Sequence, residues 1–384
     1  MRVILRLAVL FVTYLALSLL AGILLCNSTL HPVRRPLTAR DESQAHVLAR
    51  LQNASLHDIS LTTPDHLQLK AWLFTPATSN NSAVILLHGL SDNRTGMLGY
   101  AELLLSRHFT VLLPDARAHG ASSGDLATYG LLERNDIREW FDWLAQTEHP
   151  SCIAGFGESM GAAQLLQALA VEPNFCAVAA ESSFSNFHEI ADDRAGQFFR
   201  TGPWLGRTLL RPALAFAFWY GREKYSLDLE KVSPEVIVAT TLTPVLLIHG
   251  KEDRNIPVRH SERIAARNPS VILWKVPNAD HCGAISTAPE EFKTRLLAWY
   301  APKSAIANLQ SQIFQPRKYE KRSEDSLLLI PHFSASSAFT LAHATSCKSC
   351  GPSVEIPALP RTPTPAEISA SLQPRYSSPI PPIP

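Results

Sequence analysis

With 384 residues, 46% of them hydrophobic and 18% charged, the chain has the composition of a globular protein with an apolar tilt. Its 35 Lys and Arg nearly balance 34 Asp and Glu, and the basic residues are scattered rather than gathered into a stripe. That distribution excludes a role in which neutralised nucleic-acid phosphates supply the affinity.

Residues 3–26 are almost wholly apolar, broken early by Arg6, and 7–25 alone approaches the ~20 residues that cross a bilayer core. A cleaved signal peptide has an apolar region of ~7–15 residues and ends in a small-x-small site. Here the run is longer and ends Ile23-Leu24-Leu25-Cys26. Residues 1–28 are therefore expected to be an uncleaved, single-pass membrane anchor whose deletion leaves a soluble, active domain, and 29–55 a linker. Arg2 and Arg6 favour an inside N-terminus and a domain outside the cytoplasm, against the opposing pull of Arg34, Arg35 and Arg40.

From 56 to 300 short apolar runs alternate with amphipathic stretches, the pattern of a mainly parallel sheet covered by helices. Strands are expected over 67–74, 83–88, 110–114, 152–156, 177–181, 245–249 and 271–276. Helices are expected over 96–107, 131–146, 160–172, 259–267 and 289–300. In the second of these, Ile137, Trp140, Phe141 and Leu144 fall on one helical face and read as core. Between 182 and 242 lies an insertion whose centre, FFRTGPWLGRTLLRPALAFAFWYG, is rich in aromatic residues and leucine. Beyond 300 the chain changes character. About half of its 28 prolines fall in 301–384, a Pro/Ser-rich tail expected to be disordered. The tail's Cys347-x-x-Cys350, with His343 nearby, falls short of the ligand set of a four-coordinate zinc site.

The chemistry centres on GFGESMG at 155–161. Gly157-x-Ser159-x-Gly161 follows an apolar run and opens a helical pattern, as a nucleophile elbow requires. Asp253 follows the run at 245–249 by a short loop, and His281 lies just past the run at 271–276. Three strand ends in the order Ser, Asp, His gather at one rim of an open α/β sheet, where catalytic sites of such folds lie. Asp280, beside the histidine, and Glu181, at the end of the strand after the elbow helix, compete with Asp253 for the acid.

On these residues the chain resembles the α/β-hydrolase superfamily. LLHGLSDNR at 86–94 is similar to its oxyanion loop, and PDARAHGASSG at 114–124 to its Asp-x-Arg-x-His-Gly-x-Ser turn. Within the superfamily it looks most like membrane-anchored serine hydrolases related to serine aminopeptidases. The resemblance implies an α/β-hydrolase fold over 56–300, with 182–242 as a helical lid. It also implies an ester, thioester or amide hydrolase acting through an acyl-enzyme on a small-molecule, acyl or peptidyl substrate, with no cofactor or metal. Ser159 would be the nucleophile, His281 the general base and Asp253 its orienting acid, with the backbone N–H groups of Leu90 and Met160 as oxyanion donors. His88 and His119 read as structural. The alternative, a catalytically inactive binding protein on the same fold, would be expected to lack a member of the triad, and none is missing.

Overall fold

The computed structural model describes residues 1–301. Everything in the tail beyond Ala301, including Cys347 and Cys350, lies outside the described residues. The eight strands are β1 (Ala54–Thr62), β2 (Gln68–Pro76), β3 (Ser82–Leu87), β4 (Thr110–Pro114), β5 (Cys152–Glu158), β6 (Val178–Glu181), β7 (Val245–Gly250) and β8 (Ile272–Val276). They form one sheet in the order β1-β2-β4-β3-β5-β6-β7-β8. From β4 to β8 all neighbours are parallel, while β2 runs antiparallel to β4 and β1 antiparallel to β2.

Alternation along the strands feeds two cores. On β3, Val84 and Leu86 join one face with Trp72, Tyr100, Phe156 and Phe292, while Ala83, Ile85 and Leu87 join the other with Ile137, Trp140, Phe141 and Leu144. The flanking helices between strands are α3 (Leu98–Leu105), α4 (Glu133–Glu148), α5 (Met160–Ala168) and α10 (Arg259–Ala265); α11 (Ala284–Thr287) and α12 (Pro289–Tyr300) follow β8. Each parallel crossover is thus helical, as parallel pairing demands. The α/β-hydrolase fold and mainly parallel sheet expected from the sequence are observed.

Between β6 and β7 the chain makes α6 (Phe187–Phe198), α7 (Trp204–Arg207), α8 (Arg211–Tyr225) and α9 (Pro234–Val238). They enclose a third apolar cluster, which joins Phe184, Phe187, Phe218 and Leu229 to Tyr129 and to Met160.

Two expectations about the N-terminal region need correction. The 29–55 linker contains a helix, α2 (Ala39–Leu51), started by a capping box in which Thr38 and Asp41 bond reciprocally. Its Ala45, Leu48 and Ala49 pack into the sheet's core. The 1–28 anchor, in turn, does not end apart from the domain. It forms α1 (Arg2–Leu30), long and apolar enough to cross a membrane, as a signal sequence also is. However, Cys26 and Leu30 are buried in the third cluster.

Candidate active site

Ser159 sits between β5 and α5 with φ +53°. That left-handed conformation is strained for a residue with a Cβ. The flanking glycines make it possible. A Cβ on Gly157 would meet the Gly161 carbonyl oxygen at 2.5 Å, and one on Gly161 would meet that of Leu87 at 2.3 Å. The turn therefore closes only with hydrogen at both positions.

His281 and Asp253 come from the loops after β8 and β7. Backbone bonds stitch the two loops together, from Lys251 N–H to Val276 O and from Glu252 N–H to Ala279 O, so Asp253 and His281 are held as one piece. His281 Nε2 lies 2.9 Å from Ser159 Oγ, and its Nδ1 lies 2.8 Å from Asp253 Oδ2. The other carboxylate oxygen of Asp253 accepts from the backbone N–H of Asn255 and Ile256. His281 and Asp253 are buried, while Ser159 is half-buried.

A residue that sequence reasoning did not single out completes the acid's surroundings. His249, fully buried at the end of β7, approaches Asp253 Oδ2 at 3.2 Å through Nε2, which also bonds the Ile256 carbonyl at 2.7 Å. Its only sequence signal is a polar residue within an apolar strand. Burial would raise the Asp253 carboxyl, but the bonds from His249 and His281 outweigh it and hold the group well below the usual carboxylate range.

The competing acids are turned elsewhere. Asp280 accepts from the backbone N–H groups of His281 and Arg254. Glu181, fully buried, accepts from the backbone N–H of Ala284 at 3.0 Å. It also faces the Tyr100 hydroxyl, whose nearer partner is Glu158. Burial raises the Glu181 carboxyl to about 7 against these bonds, and pushes Glu158 well above its ordinary value with help from the Glu181 charge.

The loop at 88–94 lies beside the turn that carries Ser159. A Cβ on Gly89 would stand 3.6 Å from the Ser159 Cβ, and Met160 follows Ser159 at the start of α5. His88 fixes the loop. Its Nε2 accepts from the Ala116 N–H, so Nδ1 carries the proton and donates to the Gly89 carbonyl at 2.8 Å. Asp115 of the second motif anchors the same region by accepting from the backbone and side chain of Arg94 and from the Ala121 N–H. His119 packs against His88, and burial together with that neighbour lowers it to about 4, so it stays neutral. Both histidines are structural, as their sequence context implied.

The comparisons agree with this architecture. The model of the Alpha/beta hydrolase family matches residues 84–295. An uncharacterized Bacillus subtilis protein, YqkD, is 30% identical over 221 residues, covering 56% of this chain and 68% of its own. The Escherichia coli protein YfhR, also uncharacterized, is 26% identical over 245 residues, covering 60% and 75%. Among solved structures, the Pyrococcus furiosus esterase Pf2001 superposes with a TM-score of 0.54 at 26% identity, over 70% of this chain and 96% of its own.

Proposed function

The chain belongs to the alpha/beta hydrolase family, and from that membership we propose that it is a serine hydrolase acting through Ser159, His281 and Asp253. The observation that carries this reading is the unbroken relay of 2.9 and 2.8 Å from Ser159 Oγ through the His281 ring to Asp253. A serine hydroxyl is a weak nucleophile, and a histidine at this distance removes its proton as the oxygen attacks an acyl carbon. Asp253, held ionised by two histidines and two backbone N–H groups, keeps the His281 proton on Nδ1 and stabilises the imidazolium. The tetrahedral oxyanion takes hydrogen bonds from the backbone N–H groups of Leu90 and Met160. His281 then protonates the leaving group, and water releases the acyl-enzyme by the same steps in reverse order.

The substrate class favoured is a carboxylic ester with an apolar acyl group. The name of the Pyrococcus furiosus relative points to esters. The apolar cluster of Tyr129, Phe184, Phe187 and Phe218 extends from Met160 under the insertion at 182–242, which serves as the lid over 56–300. A single pass of α1 holds this domain to the membrane, outside the cytoplasm. A fluorophosphonate probe tests the nucleophile: it labels the wild-type chain and not Ser159→Ala. A panel of acyl esters of graded length beside aminoacyl arylamides tests the bond. Absence of labelling in folded protein would overturn the reading in favour of an inactive binding protein.

A further inference from the structure

The N-terminal helix changes surroundings halfway along its length. Residues 2–13 are exposed on every side, whereas from Tyr14 onward one stripe is covered, with Ser18, Gly22, Cys26 and Leu30 buried at four-residue intervals. The covering element is α8. A Cβ on Gly22 would lie 2.6 Å from the Ala213 carbonyl oxygen and 2.8 Å from Ala217 N, and one on Gly221 would lie 3.4 Å from Cys26 Sγ. Tyr14 donates its hydroxyl to the Leu209 carbonyl, and Tyr225 donates to Asn27 Oδ1. Residue numbers rise together along both helices, so α1 and α8 run parallel. Small residues at four-residue spacing on each allow the close approach seen between membrane helices.

With this packing, α1 can span a bilayer only if α8 enters beside it. Residues 2–13 rise only ~18 Å, against ~30 Å of hydrocarbon in a bilayer. The composition of α8 supplies the missing depth. Residues 212–220 carry no charge, and Arg222, Glu223 and Lys224 follow immediately. On α1 the apolar run ends at Cys26, which faces Gly221. Both helices therefore turn from apolar to polar at the same height. Beside them the insertion exposes Phe198, Phe199, Trp204, Leu209 and Trp219, each at least 49% accessible. Large apolar side chains exposed together on one insertion are the kind of surface that marks a membrane or partner contact. This band adjoins the catalytic rim, because Gln197 donates to the carbonyls of Arg254 and Asn255, next to Asp253.

We propose that the tip of the insertion, carrying Phe198, Phe199, Trp204, Leu209 and Trp219, sinks into the acyl-chain region of the bilayer alongside α1. Arg207 enters already paired with Glu189, while Arg200 and Arg211, exposed at the tip, enter as a cost that the apolar side chains around them must offset. The lid is then a membrane-embedded element, and its mouth receives substrate from the lipid phase. That route rests on the hydrolase reading; the docking surface does not.

Tryptophan fluorescence of the 384-residue protein tests the proposal in vesicles of phosphatidylcholine and phosphatidylglycerol, with bromine on the phosphatidylcholine acyl chains. α1 contains no tryptophan and the insertion holds Trp204 and Trp219, so the quenching lost with these two reports on the insertion. The wild-type emission is expected to be quenched, and the double variant Trp204→Phe/Trp219→Phe to lose the larger part of that quenching. Equal quenching in wild type and double variant, or none in either, would overturn the proposal. A second copy covering the band would also overturn it, and would show as an unquenched wild type that sediments in detergent as a dimer and becomes a monomer on Trp204→Glu. Hydrolysis of p-nitrophenyl butyrate in the same vesicles scores the Ser159 reading separately, since loss of that activity leaves the quenching result unaffected.

Discussion

Glu158 and Glu181 stand side by side on the parallel strands β5 and β6, both fully buried and both directed at the single hydroxyl of Tyr100, at 2.9 and 3.4 Å. One hydroxyl proton cannot satisfy two carboxylates, and Oε1 of Glu158 has no hydrogen-bond partner among the described residues. The pair therefore holds at least one proton of its own near neutral pH, immediately behind Ser159.

Stability should consequently fall as the pH rises. The Glu181 carboxyl is raised from 4.5 to about 7 in the folded chain, so the folded state binds its proton more tightly than the unfolded state does. The contribution is complete below about 4.5 and is lost as the pH climbs through about 7. By linkage it is of the order of 3 kcal/mol. Glu181→Gln keeps an acceptor for the Ala284 N–H and removes the charge, so its melting temperature should exceed that of the wild type above pH 7 and converge with it near pH 5. Parallel melting profiles across this range would sink the idea.

Glu181→Gln should also retain turnover, because Glu181 bonds Ala284 and Tyr100 rather than His281. Asp253→Asn, by contrast, should lower kcat about 10⁴-fold by favouring the wrong histidine tautomer. Initial rates on a short-chain aryl ester separate the two variants, and the reverse outcome would move the acid to β6.

Ser159→Ala and His281→Ala should each abolish nearly all turnover, with the double variant losing little more, since residues that act as a unit do not contribute additively. Additive losses would mean that the 2.9 Å contact between them is not used in the reaction.

Gly22→Val should destabilise the chain in detergent by ~1–3 kcal/mol, the range for forcing extra atoms into a packed contact. Deletion of residues 1–28 should do more, by uncovering the stripe of α8 that Gly22 and Cys26 occupy. This reverses the expectation that the anchor is dispensable. A deletion variant that melts with the wild-type protein would restore it.

Legibility in the sequence followed locality. Seven strands are legible as apolar runs because central strands are covered on both faces, as β4 is throughout. β1 carries no such run, because it is an edge strand with no fully buried residue, mixing half-buried with exposed positions. α2 was hidden by its polarity, although Thr38 and Asp41 carried a capping signal and Ala45, Leu48 and Ala49 a short apolar stripe. The catalytic candidates were legible because an elbow and two strand ends have local signatures. His249 had none: what matters about it is a contact with Asp253 formed only in the fold. The same holds for α1 and α8, whose small residues at four-residue spacing mean little until the two helices are side by side.

That pairing also sets an order of assembly. Tyr14 and Leu209 are 195 residues apart in the chain. At ~5–20 residues per second the ribosome takes about 10–40 s to cover that interval. For all of that time the Ser18–Gly22–Cys26 stripe is without its partner, while β1 to β6 are made. The helix pair is therefore a long-range closure that cannot form before α8 is made, while the contacts among Ser159, Asp253 and His281 must wait longer still, because Asp253 and His281 lie beyond α8 in the chain.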